Sequence, residues 1–361
     1  MKNPDQDLDQ NLDQNSDQNL NNDPSCFIFN GDADGIISQH ILTLEFGAPA
    51  LRITGLKRDI ELLKKLPENW KGEIRVCDIS LKQNLNSLKT ILEKGHIKVA
   101  WYDHHEPGEL FDHENLEKHI HESSGLCSAA IVHNVLGQKY PLWAAMAAFG
   151  DNIPDLAPAL VQKVNSEKLK SNPELSSHPS EITAAELGLL RKAGLLLNYN
   201  AYGESLSDLR FDPEALAKYI SDFSSALDFA QDQSIFGPLE NQFSEDQTYF
   251  AGLKPIRQSP WAQAFSIPSE PWARRYAATW ANERILAKPW QALATLTPLT
   301  DGSYSVSIRA RREKDKPGPS AADLASEFPT GGGRKLAAGI NGLPKEDVDK
   351  FLQRFEDFFK P

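Results

Sequence analysis

Short apolar runs alternate with amphipathic stretches along the first half of the chain, from Ser25 onward. The apolar runs have the length and composition of buried strands and occupy residues 27–29, 51–53, 74–76 and 97–102. Between them, apolar side chains recur at helical spacing over residues 35–46 and 84–94. Strands that alternate with helices in this way indicate βαβ units. The pattern therefore predicts an α/β fold whose first domain is built on a parallel sheet.

The second half of the chain begins with a helical pattern and ends with a mixed one. Apolar residues at three- and four-residue spacing predict helices over residues 181–197 and 213–231. The later pattern predicts a helix at 271–286, strands at 291–296 and 304–309, a glycine-rich loop at 331–333 and a helix at 345–359. We expect a first domain at 25–200, a helical connector at 201–248 and a smaller α/β domain at 249–361.

Residues 1–24 have a different composition from the rest. They repeat four-residue units rich in Asp, Gln and Asn, with few apolar residues beyond isolated leucines, so they cannot bury enough surface to offset their ordering entropy. We expect a disordered acidic tail. The tail carries six aspartates against Lys2, and the whole chain has a formal net charge of −12. The remainder is acidic too, which argues against a long nucleic-acid duplex as partner and leaves small anionic substrates or short oligonucleotides.

Localisation follows from the absence of long apolar runs. None approaches the roughly 20 residues that span a bilayer, and the polar N-terminal stretch lacks the apolar segment of a secretory signal. We therefore expect a cytoplasmic protein without a membrane partner. Cys26, Cys77 and Cys127 show no metal-binding spacing and are interpreted as small buried residues. A homodimer is compatible with the sequence, which does not determine the oligomeric state.

Several potential metal ligands follow the predicted strands at the point where each strand ends. They are Asp32 and Asp34 after the first strand, Asp78 after the third, and Asp103, His104 and His105 after the fourth. In open parallel sheets, ligands bind beyond the carboxyl ends of the strands, so these groups should meet at one edge. Carboxylate oxygens suit Mg and Mn, and imidazole shifts the preference toward Mn, Fe or Co. The sequence predicts a metal-assisted hydrolase.

Asp151 adds modest support for a metal site. It follows an alanine-rich helical segment at 142–149, and the negative end of a helix disfavours a carboxylate by about 0.3–1 kcal/mol. A nearby cation would remove the conflict, although an exposed Asp would tolerate it. Taken singly, the Asp-x-Asp-Gly motif is also typical of a surface turn, and Asp-His-His of a polar loop. Together they favour a site in which one imidazole ligates metal, its neighbour contacts phosphate or water, and Asp103 orients an imidazole.

Several motifs in the chain resemble those of a known family. NGDADG at residues 30–35, the Asp of VCDIS, YDHHEP at 102–107 and the Asp of FGDN resemble the four successive motifs of the DHH phosphoesterase superfamily. GGGRKLAAG at 331–339 resembles the glycine signature of the DHH-associated C-terminal domain, and SVSIRAR at 305–311 resembles the arginine-bearing strand before it. The resemblance extends from Ser25 nearly to the end of the chain.

The resemblance implies a role for each residue. Asp32 would bind a first manganese, Asp34, His104 and Asp151 a second, and Asp78 would bridge both. His105 would contact the scissile phosphate, with Asp103 beside it. Arg309, Gly331, Gly332, Gly333 and Arg334 would hold the distal part of the substrate. The reaction would be hydrolysis by a metal-activated hydroxide, with one or two divalent ions and with magnesium or cobalt as other options.

Two positions depart from the family pattern. Most relatives have a metal-ligating histidine four residues before Asp32, where this chain has the apolar Ile28. The first metal site would be weak, filled only with substrate, or completed by Asn30 or water. The histidine of the glycine signature is replaced by Gly333 or Arg334, depending on the alignment. An arginine there would still bind phosphate in a bidentate manner.

Three functional classes remain open. The favoured one is a phosphoesterase that acts on phosphodiester or phosphomonoester bonds of small nucleotides, short oligonucleotides or cyclic dinucleotides. The second is a phosphoanhydride hydrolase that acts on pyrophosphate or polyphosphate. The third is a catalytically weakened nucleotide-binding module, which Ile28 suggests. A processive RecJ-like exonuclease is disfavoured by the acidic charge balance.

Overall fold

The computed structural model describes residues 24–123, 125–162, 182–287, 292–311 and 318–360. The predicted disorder of residues 1–24 therefore concerns residues outside this range, apart from Pro24. The predicted starts of a helix at residue 181 and of a strand at residue 291 also lie outside it. Within the described ranges, no helix is both long enough and apolar enough to cross a membrane.

The first half of the chain forms a five-stranded parallel sheet, as predicted. The strands are β1 (Ser25–Phe29), β2 (Leu51–Ile53), β3 (Glu73–Cys77), β4 (Val99–Asp103) and β5 (Leu116–Ile120), in the spatial order β2-β1-β3-β4-β5. The sequence pattern did not predict β5. Its residues LEKHI alternate charged and apolar side chains only partly, because β5 is an edge strand in which Leu116 alone is buried.

Helices cover both faces of this sheet. They are α1 (Ala33–Phe46), α2 (Leu81–Leu92), α3 (Ser128–Val135), α4 (Pro141–Gly150) and α5 (Ala184–Asn200). Strand β1 shows how the layers are divided. Phe27 and Phe29 pack into the core formed with α1, α3, α4 and α5, whereas Cys26 and Ile28 pack into the core formed with α2. Both faces are therefore apolar, which explains the continuous apolar runs of the strands.

The middle of the chain is more finely divided than predicted. The helix expected over residues 213–231 is two helices, α6 (Pro213–Tyr219) and α7 (Ala226–Ala230), separated by a 3-10 turn at Ile220–Asp222. The break occurs because Phe223 adopts an extended backbone and the Ser225 hydroxyl accepts from the Asp228 N–H to start α7. The long helix α8 (Gln233–Ala251) was not predicted, since Pro238 interrupts its sequence pattern.

The last part of the chain forms a second, mostly antiparallel sheet. Its strands are β6 (Arg257–Gln258), β7 (Ala262–Ser266), β8 (Ala292–Pro298), β9 (Tyr304–Ala310), β10 (Gly331–Arg334) and β11 (Ala337–Leu343), in the order β10-β11-β9-β8-β7-β6. The helices of this part are α9 (Pro271–Ala287), α10 (Ala321–Ala325) and α11 (Val348–Phe358). An α/β architecture is therefore present in both halves, and the predicted fold class is confirmed.

One local prediction in this region is wrong. The glycine-rich segment 331–333 is the start of strand β10, paired with β11, and not a loop. Glycine is needed because a Cβ at Gly331 would lie 1.7 Å from the Ala325 carbonyl oxygen, and Gly333 has a φ of +141°. The closing helix begins at Val348, after a 3-10 turn at Lys345–Asp347. The domain boundaries at residues 200 and 249 stay a prediction.

Candidate metal centre

Asp32 is held by the turn between β1 and α1. Its Oδ1 accepts hydrogen bonds from the backbone N–H groups of Asp34 and Gly35, both at 3.1 Å, so Asp32 is the N-cap of α1. Gly31 allows the turn to pass close to the chain after β2, because a Cβ there would lie 1.8 Å from the Gly55 carbonyl oxygen. The turn places a buried carboxylate at the carboxyl end of β1.

Asp34 accepts hydrogen bonds from the N-terminus of α3. The backbone N–H of Ser128 donates to Asp34 Oδ2 at 2.7 Å, and that of Ala129 donates to Oδ1 at 2.9 Å. The Ser128 hydroxyl lies 3.3 Å from Asp78 Oδ1, to which it donates. Helix α3 was not recognised as a support from the sequence, because its contact with Asp34 joins residues 94 positions apart.

Asp78 has an unusual backbone conformation. It follows β3 with a φ of +57°, in the left-handed region that is uncommon for residues other than glycine but better tolerated by Asp and Asn. Its backbone N–H donates to the Tyr102 carbonyl oxygen at the end of β4. This conformation turns the buried carboxylate toward the two histidines, with Oδ1 3.5 Å from His104 Nε2 and 4.0 Å from His105 Nδ1.

The Asp-His-His segment ends strand β4. Asp103 is fully buried, and its Oδ1 accepts from the His104 backbone N–H at 2.9 Å and from His105 Nδ1–H at 2.7 Å. Asp103 therefore orients the ring of His105, whose side chain is 37% exposed. The ring of His104 lies 4.6 Å from that of His105 and is buried, with Nε2 3.5 Å from Asp78 Oδ1 and 3.6 Å from Asp151 Oδ2.

Asp151 is positioned by close packing of three helices. It is the C-cap of α4, directly after Gly150. A Cβ at Gly150 would lie 2.4 Å from the Ala33 side chain in α1 and 2.9 Å from the Gly194 carbonyl oxygen in α5. Only glycine permits this approach, and the approach brings the Asp151 carboxylate to the end of the sheet.

The ligand atoms form two overlapping groups. One consists of Asp34, His104 and Asp151, and the other of Asp78, His104 and His105; within each group the ligand atoms lie within 4.8 Å of one another. Around an ion with metal–ligand distances of about 2.1 Å, ligand atoms lie about 3–4 Å apart. The 3.5 and 3.6 Å separations at His104 Nε2 are of this size. The residues present therefore fit a divalent ion.

The pKa shifts of the clustered residues also indicate a site for a cation. Burial, and then the charge of Asp78, raises the pKa of Asp34 from 3.8 to about 7. Burial raises the pKa of Asp151 to about 6, and burial with the charge of Asp32 raises the pKa of Asp78. Burial alone would lower the pKa of His104, but the contact with Asp78 raises it to about 10. A divalent cation would relieve this crowding of buried carboxylates.

Lys57 is the residue that sequence reasoning missed. It follows β2, and its ammonium forms an ion pair with Asp32 Oδ2 and donates to Asn198 Oδ1 at 3.1 Å. Burial opposes the shift, yet the charge of Lys57 lowers the pKa of Asp32 to about 2. In the sequence GLKRD, the lysine has the features of an ordinary solvated loop residue. Its partner in α5 lies 141 positions away, so no local signal indicates its role.

The predicted substrate-binding residues lie on the second sheet. Arg309 in β9 and Arg334 in β10 both stand opposite Ala337 of the strand between them. They share one face of the sheet, about 10 Å apart at two strand spacings. Arg309 is held by Asn282 of α9, to which its Nε donates at 2.9 Å, and Arg334 is exposed. Gly331, Gly332 and Gly333 form the edge strand beside them.

Tyr202 lies beside Lys57, because its ring centroid is 5.6 Å from the Lys57 ammonium. The structure brings together five of the predicted site residues, which are Asp34, Asp78, His104, His105 and Asp151. It places Asp32 in an ion pair with Lys57, and it places Arg309 and Arg334 on the second sheet.

Comparison with known proteins shows that the chain resembles solved structures in its fold, at low sequence identity. No protein-family model matches the chain, and no curated protein does. Among the solved structures that resemble it is exonuclease RecJ bound to manganese, with a TM-score of 0.56 and 16% identity over 92% of this chain and 89% of that one. RecJ from Thermus thermophilus in complex with Mn²⁺ has a TM-score of 0.51 and 18% identity over 92% of this chain and 51% of that one. The DHH domain of a member of a family of ribosomal proteins has a TM-score of 0.56 and 13% identity over 93% of this chain and 86% of that one.

Proposed function

We propose that this chain, whose fold is that of the DHH superfamily, is a metal-dependent phosphoesterase. The observation that carries the proposal is the convergence of Asp34, His104 and Asp151 within 4.8 Å, next to Asp78 and His105. These residues come from four separate segments of the chain, and they meet where ligands bind in open parallel sheets. Carboxylates and imidazoles in a buried cluster are the ligands that a catalytic divalent ion uses.

Some of these residues would hold the metal ion, and others would contact the substrate. Asp34, Asp151 and the His104 imidazole would hold the ion, and Asp78, whose Oδ1 lies 3.5 Å from His104 Nε2, would contribute a further carboxylate. The ion would supply Lewis-acid polarisation of a phosphoryl oxygen and a lowered pKa for the attacking water. Manganese is bound in both RecJ structures, and the mixed oxygen and nitrogen ligand set suits it.

His105 would act on the substrate directly. Burial alone would lower its pKa, but the hydrogen bond to Asp103 raises it, so His105 holds its proton more firmly than a free histidine. Its partly exposed ring then presents an N–H donor from a fixed orientation. We assign it the non-bridging oxygen of the scissile phosphate, whose negative charge grows in the transition state.

The second sheet would bind the rest of the substrate. Arg309 and Arg334 offer planar, always charged donors on one face, and the glycine strand lets a ligand approach the backbone closely. Two arginines about 10 Å apart suit a short anionic molecule with more than one charged group. We therefore propose small nucleotides, short oligonucleotides or cyclic dinucleotides as substrates.

A substrate panel tests the proposal. Bis-p-nitrophenyl phosphate, adenosine 3′,5′-bisphosphate, dinucleotides, cyclic dinucleotides and pyrophosphate are incubated with Mn, Mg or Co. We expect turnover of at least one ester, highest with Mn, and faster cleavage of dimers to pentamers than of single-stranded DNA of tens of nucleotides. Hydrolysis of pyrophosphate alone would favour the phosphoanhydride alternative, and binding without turnover of any compound would favour the nucleotide-binding module.

A pair of aspartate variants ties the activity to the site. Asp151→Asn removes one ligand charge and should lower kcat/KM by roughly 100-fold or more. Asp155→Asn changes an exposed aspartate four positions later and serves as the matched control. Equal activity of the two variants would contradict the assignment of Asp151 to the ion.

A further inference from the structure

Both carboxylate oxygens of Asp32 are engaged by groups of the chain itself. Its Oδ1 accepts two backbone hydrogen bonds at the start of α1, and its Oδ2 forms the ion pair with Lys57. Among the described residues, neither group of candidate metal ligands includes Asp32. The carboxylate that the family resemblance assigns to a first metal is therefore neutralised by an ammonium.

The neighbouring position offers no replacement ligand. Ile28 is fully buried and packs into the apolar core on the α2 side of the sheet. Asn30, the other candidate, uses its side chain elsewhere: its Oδ1 accepts from the Asp32 N–H at 3.2 Å, and its Nδ2 donates to the Lys57 carbonyl oxygen at 3.1 Å. The residues beside Asp32 thus do not fit a second divalent ion.

Lys57 is held in position by hydrogen bonds of both its backbone and its side chain. Its backbone N–H donates to the Ala201 carbonyl oxygen at 3.2 Å, and its own carbonyl accepts from Asn30. Its ammonium is fixed between Asp32 and Asn198, and the side chain is 29% exposed. A surface lysine has a mobile head group, whereas this one is anchored at its backbone and at its ammonium by two other segments of the chain, residues 30–32 and 198–201.

We infer that the centre takes a single divalent ion, and that the Lys57 ammonium stands in the place of a second one and contacts a phosphoryl oxygen of the substrate. The inference rests on the proposed phosphoesterase function. An ammonium has three donors, and within the described part of the chain Asp32 and Asn198 take two of them. The third is left for substrate, beside the Tyr202 ring, whose centroid lies 5.6 Å from the ammonium.

Counting bound manganese tests the inference without relying on activity. Metal-free protein is titrated with Mn²⁺ by calorimetry, and the loaded protein is studied by electron paramagnetic resonance. We expect one ion per chain and the signal of an isolated Mn²⁺. Two ions per chain with a spin-coupled spectrum, as expected for ions about 3.5–4 Å apart, would overturn the inference. Failure to bind any manganese would instead overturn the proposed function.

Variants of Lys57 test its part. Lys57→Met should keep one bound ion but lower kcat by roughly 100-fold, the size of effect seen when one charged donor to a transition state is removed. Lys57→Arg should recover part of that loss. The double change of Lys57→Ala with Ile28→His removes the ammonium and adds an imidazole, and should bind two ions.

Lys65→Ala is the matched control, because Lys65 is an exposed lysine close to the same loop. Its ammonium donates to the Thr54 carbonyl oxygen at 3.3 Å and lies 3.8 Å from Asp59, so it has no contact with the acidic cluster. The kcat and ion count of this variant should equal those of the unchanged protein. A double variant that still binds one ion, or a Lys57→Met variant with unchanged kcat, would contradict the role given to Lys57.

Discussion

At the scale of single residues, Asp78 combines strain with chemistry. A φ of +57° costs an ordinary residue about 1–2 kcal/mol, and Asp and Asn tolerate it best because their short polar side chains bond locally. Strained backbone that persists in a folded protein is often found at functional sites. In this protein the strained residue also has a carboxylate within 4.0 Å of both histidines.

Two substitutions separate these properties. Asp78→Asn keeps the left-handed preference and the shape but removes the charge, whereas Asp78→Ala removes both. Each should abolish turnover. In metal-free protein, Asp78→Asn should be more stable than Asp78→Ala by about 1 kcal/mol, measured by urea unfolding. Equal stability of the two would contradict the backbone argument, and turnover by either would contradict the role of the carboxylate.

At the scale of elements, the site depends on how helix ends meet. The N-terminus of α3 holds Asp34 through two backbone N–H groups, and the C-terminus of α4 delivers Asp151. Helices α4 and α5 approach so closely that a Cβ at Gly194 would lie 2.1 Å from the Met146 carbonyl oxygen. The position of the candidate metal ligand Asp151 is therefore set by the contact of two helices that meet through their backbones.

Two glycines of α5 provide a matched test of this contact. Gly194→Ala should destabilise the protein by about 1–3 kcal/mol, because the core is already filled. Gly188→Ala lies on the same helix with nothing within 4 Å of the added Cβ, so it should stabilise the protein by about 0.5–1 kcal/mol. Urea unfolding measures both. Gly194→Ala should also weaken Mn²⁺ binding by displacing Asp151; destabilisation with unchanged affinity would separate the packing from the site.

At the scale of the whole molecule, buried charge would couple the proposed metal binding to stability. The pKa of Asp34 is raised to about 7 and that of Asp151 to about 6, mainly by burial. A carboxyl group with a raised pKa in the folded state contributes stability that is present below 3.8 and is lost as the pH rises through 6–7. His104, with a pKa raised to about 10, follows the same sign at higher pH.

The metal-free protein should therefore lose stability between about pH 5.5 and pH 8, and bound metal should restore it. Mn²⁺ at 100 times its Kd adds about 2.7 kcal/mol, which corresponds to roughly 3–4 °C in Tm for a chain of 361 residues. Thermal unfolding in EDTA and in Mn²⁺ at both pH values measures the effect. We expect a larger Mn²⁺-induced rise in Tm at the higher pH, since the ligands must lose their protons. An equal rise at both pH values would contradict this coupling, and Asp34→Asn should reduce the pH dependence.

Local pattern alone determined much of this protein. Apolar runs of period and length typical of buried strands predicted β1 to β4 and the parallel sheet, and the rule that ligands collect at the carboxyl ends of strands predicted the neighbourhood of Asp34, Asp78 and His104. These features depend on residues close in sequence, so a short window contains the information. Strand β5 and helix α8 were not predicted, because an edge strand and a proline-containing helix have weak periodicity.

Only the tertiary structure decided what surrounds the ligands. The hydrogen bond from Ser128 at the start of α3 to Asp34 joins residues 94 positions apart. The contact of Lys57 with Asn198 joins residues 141 positions apart. Arg309 and Arg334 share a face only through the register of three strands. Such contacts are set by the packing of whole elements, because the energy of a buried ion pair or hydrogen bond depends on partners that no local pattern identifies. The sequence thus determined which side chains could bind an ion, and the packing decided which of them a lysine neutralises instead.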